Sequence, residues 1–240
     1  MGSENAVVID TGTAWYQALQ VERLKSHLEG RELNNILLTS RRYPCSGAAK
    51  FIQENFGNTP ISIHPEGVSA LETGDFFTTW SNRYDSDMPP TEAQPIENGF
   101  ILDLGECSVE AVYTPGHALD GISYHIIEKN TWVLGPLLPR ADRPTRWDLP
   151  GGSLIDIIES LSVIQSQKPS VIIPFHGPSI QGKAHINEII QRHIDFFEEC
   201  KQREGQVPIS WARPTGTSLW YTPSVPWPLL EHEEVQSNLQ

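Results

Sequence analysis

Within the first 63 residues, three short apolar runs alternate with two stretches of helical spacing. Residues 6–10, 35–39 and 61–63 are aliphatic runs too short for stable helices, which suits buried strands. Between the first two, Trp15, Ala18, Leu19, Val21, Leu24 and Leu28 recur at helical spacing ahead of Gly30, a natural helix stop. Residues 48–56 read as a second helix. A β-α-β-α-β order of this kind predicts a layered α/β architecture, because each sheet face must be covered by helices. Further strands are expected at 100–104, 109–113, 122–127, 132–134 and 171–174, and helices at 154–164 and 186–200. Residues 72–99 and 135–152, polar or rich in Pro and Gly, are expected to be loops. The domain should occupy residues 1–200. Residues 201–240 carry Trp211, Trp220, Tyr221 and Trp227 among several prolines, and are expected to form a tail packed on it.

Lys and Arg number 17 and Asp and Glu 30, a formal net charge of −13. Such a surface repels phosphate backbones and anionic headgroups, so neither nucleic acid nor membrane is expected as a partner. No apolar run approaches the roughly 20 residues of a membrane-spanning helix. The start lacks a basic segment followed by an apolar one, and Cys45, Cys107 and Cys200 form no CxxC pair. Both observations point to a reducing, cytoplasmic setting. The sequence carries no signal for the oligomeric state.

Three segments carry a family resemblance. Gly99-Phe100-Ile101-Leu102-Asp103-Leu104-Gly105 leads into Thr114-Pro115-Gly116-His117 and Gly121; Val171-Ile172-Ile173-Pro174 ends in Phe175-His176-Gly177-Pro178; and Ile9-Asp10-Thr11-Gly12-Thr13 forms an early strand and turn. Together they resemble the metallo-β-lactamase superfamily, in the style of its glyoxalase II-like and lactamase-B-like branches, over roughly residues 6–200. The resemblance implies a four-layer αββα sandwich with the site at one edge of its two sheets.

Members of that superfamily follow the second strand with T-H-x-H-x-D-H-x-G-G, which supplies imidazole and carboxylate ligands to two metals. The matching stretch here is Thr39-Ser40-Arg41-Arg42-Tyr43-Pro44-Cys45-Ser46-Gly47-Ala48. Ser40 and Arg42 stand for the first two histidines, Pro44 for the aspartate and Cys45 for the third histidine. Pro136, after Leu134-Gly135, stands for the bridging aspartate. Only His117 and His176 match by type. Proline offers no side-chain donor atom, and a guanidinium is a permanent cation without an acceptor. No cofactor is therefore expected; one weakly held zinc on Cys45, His117 and His176 is the alternative.

Two functions follow as expectations. The first is a hydrolase-like enzyme without the usual metal pair, acting on a small anionic or carbonyl substrate. Arg42, Ser40, Tyr43 and Asp10 would bind the substrate, and His117 and His176 would act as acid and base. Cys45 is the candidate nucleophile, set against a role as small buried filler, and Asp10 is set against a turn cap. The second is a non-catalytic pseudoenzyme serving as a binding module or subunit. An open polar cavity between Arg42, His117 and His176 favours the first, and a plugged one the second.

Overall fold

The structure is a computed structural model that describes residues 5–208. Strands β1 (Ala6–Ile9), β2 (Leu33–Leu37), β3 (Ile61–Ile63) and β4 (Gln94–Pro95) form a parallel sheet in chain order. Parallel neighbours cannot be joined by hairpins and need crossovers. Helix α1 (Gln17–Leu28) makes the first, α2 (Tyr43–Ser46) and α3 (Ala49–Asn55) the second, and α4 (Pro65–Glu72) opens the third.

The second sheet holds β5 (Ile101–Asp103), β6 (Ser108–Tyr113), β7 (Ile122–Ile126), β8 (Thr131–Val133), β9 (Val171–Ile173) and β10 (Ile180–Gln181), ordered β10-β9-β8-β7-β6-β5. Strands β5 to β8 are an antiparallel meander, and β9 returns parallel to β8 after α5 (Leu154–Ser166). Helix α6 (Lys183–Gln202) follows β10.

Alternation along β2 shows how the layers arise. Side chains point to opposite faces at successive strand residues, so Ile36 packs with Val21, Leu28 and Ile52 from α1 and α3. Its neighbour Leu37 packs with Val109, Ala111, Ile122 and Tyr124 of the second sheet. Outside that sheet, Ile157, Leu161 and Ile164 of α5 and Ile190 and Phe197 of α6 cover Trp132 and Ile172. The result is the expected αββα sandwich.

The T-P-G-H turn lies on α5. Gly116 has φ +130°, and a Cβ there would fall 2.5 Å from the backbone nitrogen of Ile157, so only glycine fits. The Ser160 hydroxyl donates to the Pro115 carbonyl at 2.7 Å, which fixes the turn from the helix side.

Helix α4 departs from the sequence reading. Its apolar period is interrupted by Gly67, and its start is signalled by His64, whose ring accepts from the Glu66 N–H at 3.3 Å. Helix α6 reaches Gln202, Val207 packs on the α5/α6 core and Pro208 is buried. The remainder of the expected tail, residues 209–240, lies outside the described residues. No helix among the described residues is long and apolar enough to cross a membrane.

Candidate functional site

The loop after β2 enters the gap between the sheets at their common edge. Its first residue, Thr39, is latched to the end of β1: Asp10, at φ +58°, accepts the Thr39 N–H at 2.8 Å and its hydroxyl at 2.6 Å. Burial raises the Asp10 carboxyl to about 7, against the opposing pull of the Thr39 hydrogen bonds. Asp10 thus joins the ends of β1 and β2.

Cys45 is fully buried, with its Sγ 3.6 Å from the Thr39 hydroxyl. Its carbonyl accepts both the N–H and the hydroxyl of Thr11, at 2.8 and 2.9 Å. Burial, reinforced by Asp10, pushes the thiol well up. The thiolate is the nucleophilic form, so this environment opposes the nucleophile role. Tyr43 belongs to the helical core: its ring packs against Tyr84 at 5.2 Å and its hydroxyl accepts the Ala14 N–H at 3.3 Å.

Arg42 is 1% exposed. Its Nη1 donates to the Thr78 carbonyl and its Nη2 to the Pro150 carbonyl, both at 2.7 Å, while Nε has no partner. Desolvation, then the neighbouring Arg41, lowers the guanidinium to about 10, which leaves it charged at neutral pH. The side chain expected to grasp a substrate instead ties together the two loops that flank the site.

Charge balance comes from a residue that sequence reasoning missed. Asp120 is fully buried; its carboxylate lies 3.2 Å from Arg41 Nη1, accepts the Arg41 N–H and sits 3.5 Å from the Ser40 hydroxyl. The signal available was a lone carboxylate in the turn Ala118-Leu119-Asp120-Gly121, three residues after His117. Arg41 also donates to the Glu66 carbonyl at 3.1 Å, so it spans from α4 to the T-P-G-H loop.

Ser40 and His117 line one cavity, together with Thr39, Thr114 and Pro136. Its volume is about 10 Å³, room for one water. Beside it, His117 Nδ1 lies 3.1 Å from the Arg146 carbonyl and 3.0 Å from the Thr145 hydroxyl. Burial, then Arg42, lowers the His117 ring to about 3. His176 stands apart from this lining: its N–H donates to the Pro139 carbonyl at 2.9 Å, its ring meets Phe175, and burial and then Arg140 lower it to about 4.

Among the described residues, no group of three or more His, Cys, Asp and Glu converges to hold an ion. That applies to the pair of metals and equally to the alternative set of Cys45, His117 and His176.

The protonation states make a prediction. His117 at about 3 and His176 and His193 at about 4 stay neutral in the fold, whereas unfolded imidazoles take protons near pH ~6.5. Stability from these groups is present above ~6.5 and is lost as pH falls toward 4. Asp10, held at about 7, acts oppositely: its contribution is present below ~4 and lost as pH rises through 7. Three histidines against one aspartate should give a net loss of stability from pH 6.5 to 4, read by urea melts along that range. Constant stability across it would contradict these assignments.

No family model matches the chain. It is 29% identical over 181 residues to a probable metallo-hydrolase of Methanocaldococcus jannaschii, covering 74% of this chain and 84% of the relative. Among solved structures it is similar to TTHA1623 in a di-iron-bound form, at 25% identity and TM-score 0.59, covering 72% of this chain and 82% of that one. It is also similar to the B3 metallo-β-lactamase BLEG-1, at 23% identity and TM-score 0.63, covering 80% and 87%. Fold and sequence together show the metallo-β-lactamase fold and a similarity to a probable metallo-hydrolase. The resemblance read from its T-P-G-H and H-G-P segments holds.

Proposed function

We propose that this chain binds no metal at the position its relatives use and performs no hydrolysis there, and that it serves as a binding module or subunit. The observation that carries the reading is the filled centre. The cavity beside His117 admits one water, and the Arg42 guanidinium is committed to the Thr78 and Pro150 carbonyls. An incoming anion would have to displace both hydrogen bonds. The three free, buried cysteines accord with a reducing compartment for this role.

The competing reading is a metal-independent hydrolase on a small anionic or carbonyl substrate, with His117 and His176 sharing the roles of acid and base. The similarity to a relative named a probable metallo-hydrolase favours hydrolysis but not metal independence. It requires His117, lowered to about 3, and His176, lowered to about 4, to exchange protons near neutral pH, where both lie well below the range that suits a catalyst.

Protein purified without chelator should hold zinc, iron and manganese well below one ion per chain by elemental analysis. Carboxylic ester, thioester, β-lactam and phosphodiester substrates should show no turnover above background, with or without added metal. Two tightly bound ions per chain, or turnover abolished by His117→Ala, would overturn the proposal.

A further inference from the structure

Two segments bring large apolar side chains to one stretch of surface. Trp15 and Tyr16 lie in the short helical turn that leads into α1, and Leu19 follows at the spacing that shares a helix face. Phe76 and Phe77 lie in the loop between α4 and β4, their rings edge-on at 5.4 Å. The same loop joins the two segments. The Trp15 ring is 5.7 Å from that of Tyr84, and its indole donates to the Ser86 hydroxyl at 3.1 Å. The Ser81 hydroxyl and the Asn82 N–H both donate to the Phe76 carbonyl, at 3.4 Å. Trp15, Tyr16, Leu19, Phe76 and Phe77 are 42–68% exposed.

The loop that presents the two phenyl rings is closed and braced. Its ends meet at the Leu71 carbonyl, which accepts the Gly74 N–H at 3.2 Å and the Thr91 N–H at 2.8 Å. The Asp75 carboxylate accepts the N–H groups of Phe77 and Thr78, at 2.9 and 3.1 Å, and the Thr78 hydroxyl at 2.6 Å. On the inner side the Thr79 carbonyl accepts the Tyr43 N–H at 2.7 Å, next to the Thr78 carbonyl that holds Arg42. A loop fixed in this way loses little freedom when a partner covers it.

We propose that this surface joins two copies of the chain in a two-fold dimer. Charge selects the occupant. Residues 14–21 and 76–82 contain no Asp, Glu, Lys, Arg or His, in a chain of net charge −13. Two such chains repel each other over most of their surface. They can meet where it is neutral and aromatic, as the cores of protein interfaces are. Beside the patch, Arg83 and Asp85 are exposed and of opposite sign, which a two-fold contact pairs in both directions. Area agrees. At these exposures, four aromatic side chains of roughly 150–250 Å² each leave about 350–600 Å² open. That is about half to three-quarters of the ~800 Å² that each partner gives to a stable interface, and a polar rim supplies the rest. The inference deepens the reading of this chain as a subunit; it rests on that reading for the role of the dimer, not for its existence.

The full chain is followed by sedimentation velocity from about 1 to about 200 µM. It should pass from monomer to dimer. Tyr16→Ser and Phe77→Ser should each raise the dissociation constant at least tenfold, as loss of a central aromatic anchor does. Ile155, 55% exposed on α5, is the control, and Ile155→Ser should leave the constant unchanged. Amide exchange of the wild-type chain at both ends of the concentration range needs no variant: dimerisation should slow it at residues 14–19 and 76–82. A monomer throughout, a dimer indifferent to both substitutions, or slowing confined to other segments would overturn the proposal. So would a monomer that binds neutral phosphatidylcholine vesicles through Tyr16 and Phe77, which would make this face a membrane contact. These readouts do not depend on metal content or turnover, so the dimer and the proposed function can fail separately.

Discussion

Asp120→Ala should cost about 3–5 kcal/mol, the loss expected when one partner of a buried ion pair is removed. Asp120 is fully buried and holds the Arg41 guanidinium, the Arg41 N–H and the Ser40 hydroxyl. Without it, Arg41, itself 6% exposed, becomes a buried cation left with the Glu66 carbonyl. The loss should be largely shared with Arg41→Met: the double variant should be more stable than the sum of the two losses by at least ~1 kcal/mol, as for directly interacting residues. Urea denaturation of the four proteins closes the cycle. Additive losses would mean that the pair contributes nothing of its own.

Arg42→Met should lower stability by about 3 kcal/mol, from two charge-assisted hydrogen bonds worth ~1.5–3 kcal/mol each, partly offset by the apolar side chain. Arg42→Lys should recover little, because one ammonium cannot reproduce a fork set on two separate carbonyls. Amide exchange should rise at residues 76–80 and 148–152 together, since Arg42 joins Thr78 to Pro150. Small carboxylates and phosphates should shift the melting temperature of wild type and variant equally. A shift confined to wild type would return Arg42 to the role of anion receptor.

Much of the architecture was legible because it rests on local periodicity. Ile36 and Leu37 sit on opposite faces of one strand, and a period of two says so in advance. The frame around positions 40–45 was legible for a related reason: Thr39 and Gly47 hold a turn, and turns have residue preferences. Arg42 was recognised as the odd residue in the centre, but not its partners. Thr78 and Pro150 lie in irregular loops whose path no periodicity encodes. Asp120 and Arg41 are 79 residues apart, and nothing local distinguishes a buried carboxylate from a surface one. No local pattern around Tyr43 encodes that its ring packs against Tyr84.

The glycine of the T-P-G-H turn has a further consequence. Helix α5 leaves no space for a side chain at Gly116, Ser160 grips the carbonyl before it, and the Thr114 hydroxyl lies 2.8 Å from that of Ser123. These four letters are thus a seam between a sheet and a helix, and packing alone gives most of them a reason to be there. In proteins of this architecture, the signature most easily spotted testifies to foldability. Testimony about chemistry has to be sought in side chains that meet a ligand rather than a packed helix.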